Sequence, residues 1–368
     1  MTDAWYKVGN VADIASPALL VYPDRIAANL RRMVEIVGDP DRLRPHVKTH
    51  KLPEIIRMHL ELGINKFKCA TIAECEMVAI EGAGDVLLAH QPTGPNIERL
   101  LELSRAHPNC RFSTIADDAG VVDALSACFG STGMDLPVYL DVDCSMHRTG
   151  IVPGEKAMEI CQKIEAAGGL VFAGLHVYDG HNHEPDLGKR TERFNTDMGP
   201  VLEFRSQLEA AGLSVQSMVA GGSPTFPLHA RHDDRDCSPG TTVLWDCGYG
   251  GFEDLDFQMA AVLLTRVISK PGPNRLCLDL GHKAIAADKP QPRAQLLEIP
   301  DADLVVHSEE HLMVETDSAD KWAVGDATYA VPAHICPTVA LHDEVHVVDS
   351  GNANSRWKVT ARQRQISI

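Results

Sequence analysis

No CxxC pair occurs among the ten cysteines of this 368-residue chain. Thiols so scattered in so long a chain read as reduced and mostly buried, and no disulfide framework is needed. Positive charge is also scarce: 34 Lys and Arg stand against 51 Asp and Glu, a formal net charge of -17. Such a surface repels a phosphate backbone and anionic lipid alike, which excludes nucleic acid and membranes as expected partners. No apolar run reaches the roughly 18 residues of a membrane span, and "MTDAWYKVGNVADIASP" lacks the apolar core of a signal peptide. A soluble, cytoplasmic protein is expected. Internal repeats, low-complexity tracts and a flexible interdomain linker are missing too.

What is present is a core-forming composition, 44% hydrophobic, enough for one large α/β domain and a smaller one. Short apolar runs alternate with helical patterns. "ALLVY" (18–22) precedes a segment in which Ile26, Leu30, Met33 and Val37 recur at three- and four-residue steps, one buried helix face. Strand-then-helix units follow from "KFKCA" (66–70), "DVLLAH" (85–90), "RFSTI" (111–115), "PVYLDVD" (137–143) and "LVFAGLHVY" (170–178), and "VQSMVAGG" (215–222) adds another strand. Counted from "LRPHVK" to "PGTTVLW", eight strands alternating with helices predict a closed (β/α)8 TIM-type barrel over 18–245. After Trp245 strand-like runs separated by turns predict a C-terminal β domain over 246–368, which residues 1–17 would join.

Four stretches carry candidate chemistry. In "RPHVKTHK" (44–51), a strand from Leu43 to His50 would place Arg44, His46, Lys48 and His50 on one face. At the C-terminal mouth of a barrel, neighbouring positive charge and desolvation would lower the pKa of Lys48 and make its amine a nucleophile toward an aldehyde. The plain alternative is a basic strand end in solvent. "AGGSPTF" (220–226) follows an apolar strand, and its glycines, N–H groups and hydroxyls suit a phosphate, with "SPGTT" (238–242) as a second edge; each is also an ordinary turn. In "VPAHICPTVALHD" (331–343), His334 and Cys336 lie two apart and would project together from a strand, an imidazole and thiolate pair suited to zinc in an open site. A satisfied histidine beside a buried cysteine is the competing reading. "LHVYDGHNH" (175–183) ends a strand with Tyr178, able to contact a cofactor ring, followed by His181 and His183, either able to act as a base.

Taken in order, "RPHVKTHK", "SMHRTG", "GLHVYDG", "GGSPT", "GTTVLWDCGYG" and "HICPTVALHD" resemble the D-threonine aldolases and the related D-serine and D-3-hydroxyaspartate dehydratases, the alanine-racemase-like class of pyridoxal phosphate enzymes. The match runs from about Ser16 to Arg362. The resemblance implies a pyridoxal 5'-phosphate barrel, a C-terminal β domain and a homodimer acting on a small D-amino acid. It marks Lys48 as the lysine bound to the cofactor aldehyde, Arg148 as the residue near its phenolic oxygen and Tyr178 as one lining the ring. Gly221, Gly222, Ser223 and Thr241 would hold the phosphate, His334 and Cys336 a divalent metal, and His183, or else His181, would be the aldolase-type base. His-x-Cys at the metal matches the dehydratases and favours zinc, whereas the aldolases carry His-x-Asp, which suits manganese or magnesium; "GLHVYDG" and "LHDEVHVV" look more like the aldolases. The expectation is retro-aldol cleavage of D-threonine or a related D-3-hydroxy amino acid to glycine and an aldehyde. Zinc-dependent dehydration of D-serine or D-3-hydroxyaspartate is the alternative, and an amino-acid racemase or a non-catalytic pyridoxal phosphate carrier comes behind both.

Overall fold

The computed structural model describes residues 4–368. Two strand-and-helix elements come first, β1 (Ala18–Val21) and α1 (Pro23–Val37), then α2 (Pro53–Glu61). Seven strands alternate with helices after that: β2 (Lys66–Cys69), α3 (Ile72–Ile80), β3 (Asp85–Leu88), α4 (Pro95–Ala106), β4 (Arg111–Ala116), α5 (Ala119–Phe129) and β5 (Leu136–Val142). The series continues through α6 (Glu155–Ala166), β6 (Leu170–Val177), α7 (Leu187–Ala210), β7 (Ser217–Ala220), α8 (Phe226–Ala230) and β8 (Asp236–Cys237). The remaining strands are β9 (Ala261–Gly272), β10 (Arg275–Leu278), β11 (Ala294–Leu296), β12 (Asp303–His307), β13 (Leu312–Glu315) and β14 (Ala327–Pro332), followed by α9 (Ile335–Ala340), β15 (Glu344–Asp349) and β16 (Asn352–Lys358).

The elements form two compact units. One comprises Arg32–Lys48, Ile56–Gly240 and Gln363–Ile368; the other comprises the segment ending at Arg31, with Thr49–Ile55 and Thr241–Arg362. In the first unit β2 to β8 make a parallel sheet in sequence order, as strand-helix alternation demands. Its two edges are joined by residues 43–46: Leu43 bridges Cys237 of β8 and His46 bridges Lys68 of β2, both in parallel. Arg44 N donates to Cys237 O at 2.8 Å and Lys68 N to Pro45 O at 3.0 Å, so this segment is the eighth stave of the barrel. Leu87, Ile115, Tyr139, Ala173 and Val219 fill the interior.

Two boundaries differ from the sequence reading. The stave stops at His46, and Val47–Thr49 turns in a 3-10 helix instead of continuing as a strand to His50; Pro45 lacks an N–H, and the ladder is carried by its neighbours. The last strand is Asp236–Cys237, ahead of "PGTTVLW", whose Thr241–Val243 is helical. The helix faces match the periodicity: Ile26, Leu30, Met33 and Val37 of α1 are all buried.

In the second unit a mixed sheet runs β12-β13-β10-β9-β1-β15-β16, with β14 pairing both β9 and β11. Its core gathers Leu20, Tyr22, Val262, Leu264, Tyr329 and Val331. Among the described residues no helix is long and apolar enough to cross a membrane.

Candidate active site

Arg44 and Lys48 serve different ends of the barrel. Arg44, 2% exposed, reaches Asp85 at 2.5 Å and Asp236 at 3.1 Å, the first residues of β3 and β8. Lys66 also meets Asp236, at 3.1 Å. This is the N-terminal floor, where buried charge is matched by carboxylates and holds staves together. The expectation that Arg44 shares a face with Lys48 is therefore corrected, because the turn at 47–49 breaks the two-residue alternation.

The C-terminal mouth holds a cavity of about 530 Å³, lined by Lys48, Lys68, Asp141, Arg148, His176 and Tyr178 among others. Tyr178 follows β6 and collects three basic side chains: Lys48 Nζ lies 5.6 Å, Lys68 Nζ 5.3 Å and Arg148 Cζ 5.0 Å from the ring centroid. Each distance is within range of the ring's quadrupole. Lys68 is 2% exposed and donates to Ser238 Oγ at 3.1 Å. Burial, then the charge of Lys48, pushes its pKa down to about 7. Beside it His176 Nδ1 bonds Asp141 Oδ1 at 2.7 Å. Burial and then the charge of Lys68 lower the His176 pKa, which favours a neutral imidazole with its proton on Nδ1. Burial opposes ionisation of Asp141, but the hydrogen bond and charge of His176, with Thr149 and Lys68, together outweigh it and hold the carboxyl below its usual range.

The glycine turn is braced from below. Asp179, buried, accepts from Gly222 N at 3.1 Å and Thr225 Oγ1 at 2.7 Å, and bonds His229 Nε2 at 2.8 Å. Gly221 N donates to Val177 O at 3.0 Å. Both glycine N–H groups are thus engaged within the protein, which corrects the picture of a turn with free donors. Gly221 has φ +88°, and a Cβ there would stand 2.5 Å from His229 Cδ2, so this position requires glycine. Ser223 Oγ accepts from Gly240 N at 3.3 Å, which ties the turn to the stretch after β8. Thr241 begins the 3-10 turn of the second unit.

His181 Nε2 is held by Asp197 Oδ2 at 2.8 Å, while its Nδ1 is buried with no partner among the described residues. His183 is exposed. Neither is among the residues lining the 530 Å³ cavity.

In the second unit His334 and Cys336 do come together, though not on a strand. Pro332 ends β14, His334 is the N-cap of α9 and Cys336 lies in its first turn, where Pro337 costs no hydrogen bond. Asp288 Oδ2 takes His334 Nδ1 at 2.6 Å, leaving Nε2 as the face a metal would use. Burial works against the imidazolium, but Cys336 and Asp288 outweigh it and raise the His334 pKa to about 9. Thr49 Oγ1 and Thr241 Oγ1 lie 3.2 and 3.5 Å from Cys336 Sγ. No group of three or more His, Cys, Asp or Glu poised to hold a metal occurs among the described residues. The donor set fits a metal only as an open imidazole and thiolate pair that further ligands complete.

Sequence reasoning missed Lys68, Asp141 and His176. The signal was there: a lysine in "KFKCA" and a histidine in "LVFAGLHVY" interrupt apolar strands, and inward polar groups near a strand's C-terminal end face the mouth of a barrel. A second cavity of about 590 Å³, walled by Glu298, Asp301, Asp317 and Asp326 against a single lysine, Lys321, has the wrong sign for a phosphorylated cofactor.

Comparison with known proteins agrees with this geometry. The family described as alanine racemase, N-terminal domain, matches residues 21–244, and the putative serine dehydratase domain matches 260–348. The chain is 27% identical over 366 residues to the 3-hydroxy-D-aspartate aldolase of Paracoccus denitrificans (strain Pd 1222), covering 95% of this chain and 93% of that protein. It is 27% identical over 360 residues to a D-threonine aldolase of Arthrobacter sp., covering 96% and 94%. The crystal structure of D-threonine aldolase from Filomicrobium marinum superposes with a TM-score of 0.88 at 26% identity, covering 95% of this chain and 96% of that one. The motif resemblance is borne out, and the chain belongs to the family of the alanine racemase N-terminal domain.

Proposed function

We propose that the protein is a pyridoxal phosphate-dependent lyase that cleaves D-threonine or a related D-3-hydroxy amino acid to glycine and an aldehyde. The observation that carries the reading is the cluster of Lys48, Lys68 and Arg148 around the Tyr178 ring inside the 530 Å³ cavity. A cationic pocket with an amine nucleophile and an aromatic wall suits a phosphorylated aromatic aldehyde, in a chain whose net charge of -17 would otherwise repel it.

When bound, the cofactor would supply an electron sink for charge developing at Cα. Lys48 would hold its aldehyde covalently. Arg148 would neutralise its phenolic oxygen, and Tyr178 would pack on the ring. Gly221 and Gly222, their N–H groups already engaged, would let the phosphate approach the backbone closely, and the hydroxyls of Ser223 and Thr241 would hold it, with Asp179 keeping the turn in shape. His183, or His181 oriented by Asp197, would take the β-hydroxyl proton. His334 and Cys336 would hold a divalent ion, zinc by the softness of the thiolate or else manganese or magnesium, which supplies Lewis-acid polarisation of a hydroxyl.

One observation favours a second reading. A thiolate at the metal pair fits a zinc-dependent dehydratase, in which the β-hydroxyl leaves and Lys48 removes the Cα proton. Incubating the protein with D-threonine, D-serine and D-3-hydroxyaspartate, with and without chelator, separates the two. Glycine plus acetaldehyde from D-threonine supports the aldolase, while 2-oxobutanoate and ammonia refute it. We further read the protein as a cytoplasmic homodimer; a sedimentation mass of one chain, independent of concentration, would contradict the dimer.

A further inference from the structure

Lys68 is used by none of the roles above. It is buried to 2% exposure at the mouth end of β2, and its hydrogen-bond partner is a neutral hydroxyl, Ser238 Oγ, at 3.1 Å. Ser238 is occupied in turn, donating to Ala220 O and Gly221 O at 3.1 Å each. In the same cavity His176 Nε2 is buried and meets no partner among the described residues, while Nδ1 is fixed by Asp141 at 2.7 Å. Among the described residues, then, a buried amine without a carboxylate in contact and a buried imidazole lone pair without a donor line one pocket. Groups left so are expected to be completed by a ligand or by a proton.

We propose that Lys68 is the proton-exchanging amine of this pocket, taking up a proton from solvent when an anionic ligand enters and returning it when the ligand leaves, with His176 Nε2 as the neighbouring acceptor and Asp141 as the positioning carboxylate. The inference rests on the proposed function only for its probe, pyridoxal phosphate. The charges that face Lys68 come from every side of the barrel mouth. Lys48, from the turn after the eighth stave, and Arg148, after β5, repel its proton, while Asp141 of β5 and Asp179 after β6 attract it. His46, bridged to Lys68, and His176 add titratable imidazoles. Desolvation and the two cations hold the empty-pocket pKa at about 7. A phosphate or carboxylate offsets the repulsion, so at pH 8 a largely neutral amine becomes charged on binding.

Two measurements test this on the full-length chain. Competitive acetylation of the cofactor-free protein between pH 5 and 10, read by mass spectrometry of the Lys68 peptide, should give a midpoint near pH 7. D141N should lower it further. A midpoint near the ordinary lysine value of about 10.4 overturns the proposal. Calorimetric binding of pyridoxal phosphate at pH 8, in buffers of different ionisation heat, should give a larger proton uptake for the wild type than for K68M or K68R. Arginine keeps its charge and methionine has none, so both lose the exchange, and K68R keeps the comparison open if K68M does not fold. Equal uptake in all three overturns the proposal. If pyridoxal phosphate is fixed on Lys48 while the Lys68 midpoint stays near 10.4, this inference fails and the lyase reading stands; a midpoint near 7 with no cofactor binding overturns the lyase reading alone.

Discussion

Gly221 and Arg44 are each held to their residue type by a specific demand, of backbone at one and of charge at the other. At Gly221, φ +88° and the 2.5 Å that would separate an added Cβ from His229 both act against any side chain. G221A should therefore cost about 1–3 kcal/mol, seen as a lower melting temperature together with weaker pyridoxal phosphate retention in equilibrium dialysis. Arg44 is the counter-charge of two carboxylates at the barrel floor. R44M should destabilise by roughly 3–5 kcal/mol in urea unfolding, because it strands Asp85 and Asp236, and it should leave the substrate KM of the folded fraction unchanged. An altered KM with full stability would return Arg44 to the catalytic mouth. These two residues also mark what a sequence can disclose. "AGGSPTF" announced a tight turn, since only glycine tolerates such backbone. Nothing in "RPHVKTHK" announced that its arginine and its lysine look to opposite ends, because that depends on one 3-10 turn at 47–49.

Elements carry these side chains to their places, and their ends are where local chemistry is most legible. Thr71 caps α3, accepting from Glu74 N at 3.1 Å, while Glu74 accepts from Ala70 N at 2.6 Å. The "TIAE" spacing is that of a capping box, readable from sequence, with Glu74 reaching one residue beyond the cap to Ala70 N. T71A should cost about 1 kcal/mol and speed amide exchange in the first turn of α3, with smaller effects elsewhere. The loop after β6 and the start of α8 are joined through Asp179, Thr225 and His229. Burial resists ionisation of Asp179, but His229 and the donated hydrogen bonds outweigh it and hold its pKa below the usual value. Its contribution is therefore present above the unfolded value of about 3.9 and is lost as pH falls through the lower folded value. Wild type should melt higher than D179N at pH 7, and the two should converge on acidification. A constant gap down to about pH 2 would contradict the assignment. This network joins residues 179, 222, 225 and 229 across separate elements, which periodicity does not encode. His334 and Cys336 teach the same lesson: their pairing was legible, but not the helix start that achieves it.

At the scale of the whole molecule, alternation of apolar runs and helical periods was sufficient to read a parallel barrel and a following β region, because a βαβ chain has few ways to pair its strands. The stave at 43–46 and the two-residue β8 were misjudged, since short staves leave little pattern. Both units are built on sheets of their own, and β1 joins strands β9 and β15 from far along the chain, a pairing that no local signal reports. The proposed chemistry depends most on Lys48 binding the aldehyde of pyridoxal phosphate. Saturating the full-length protein with the cofactor, reducing with borohydride and mapping the adduct by peptide mass spectrometry shows where the aldehyde is held. A pyridoxyl group on Lys48 is the predicted result; an unmodified Lys48 in the saturated protein, or a label carried by another lysine instead, would contradict it.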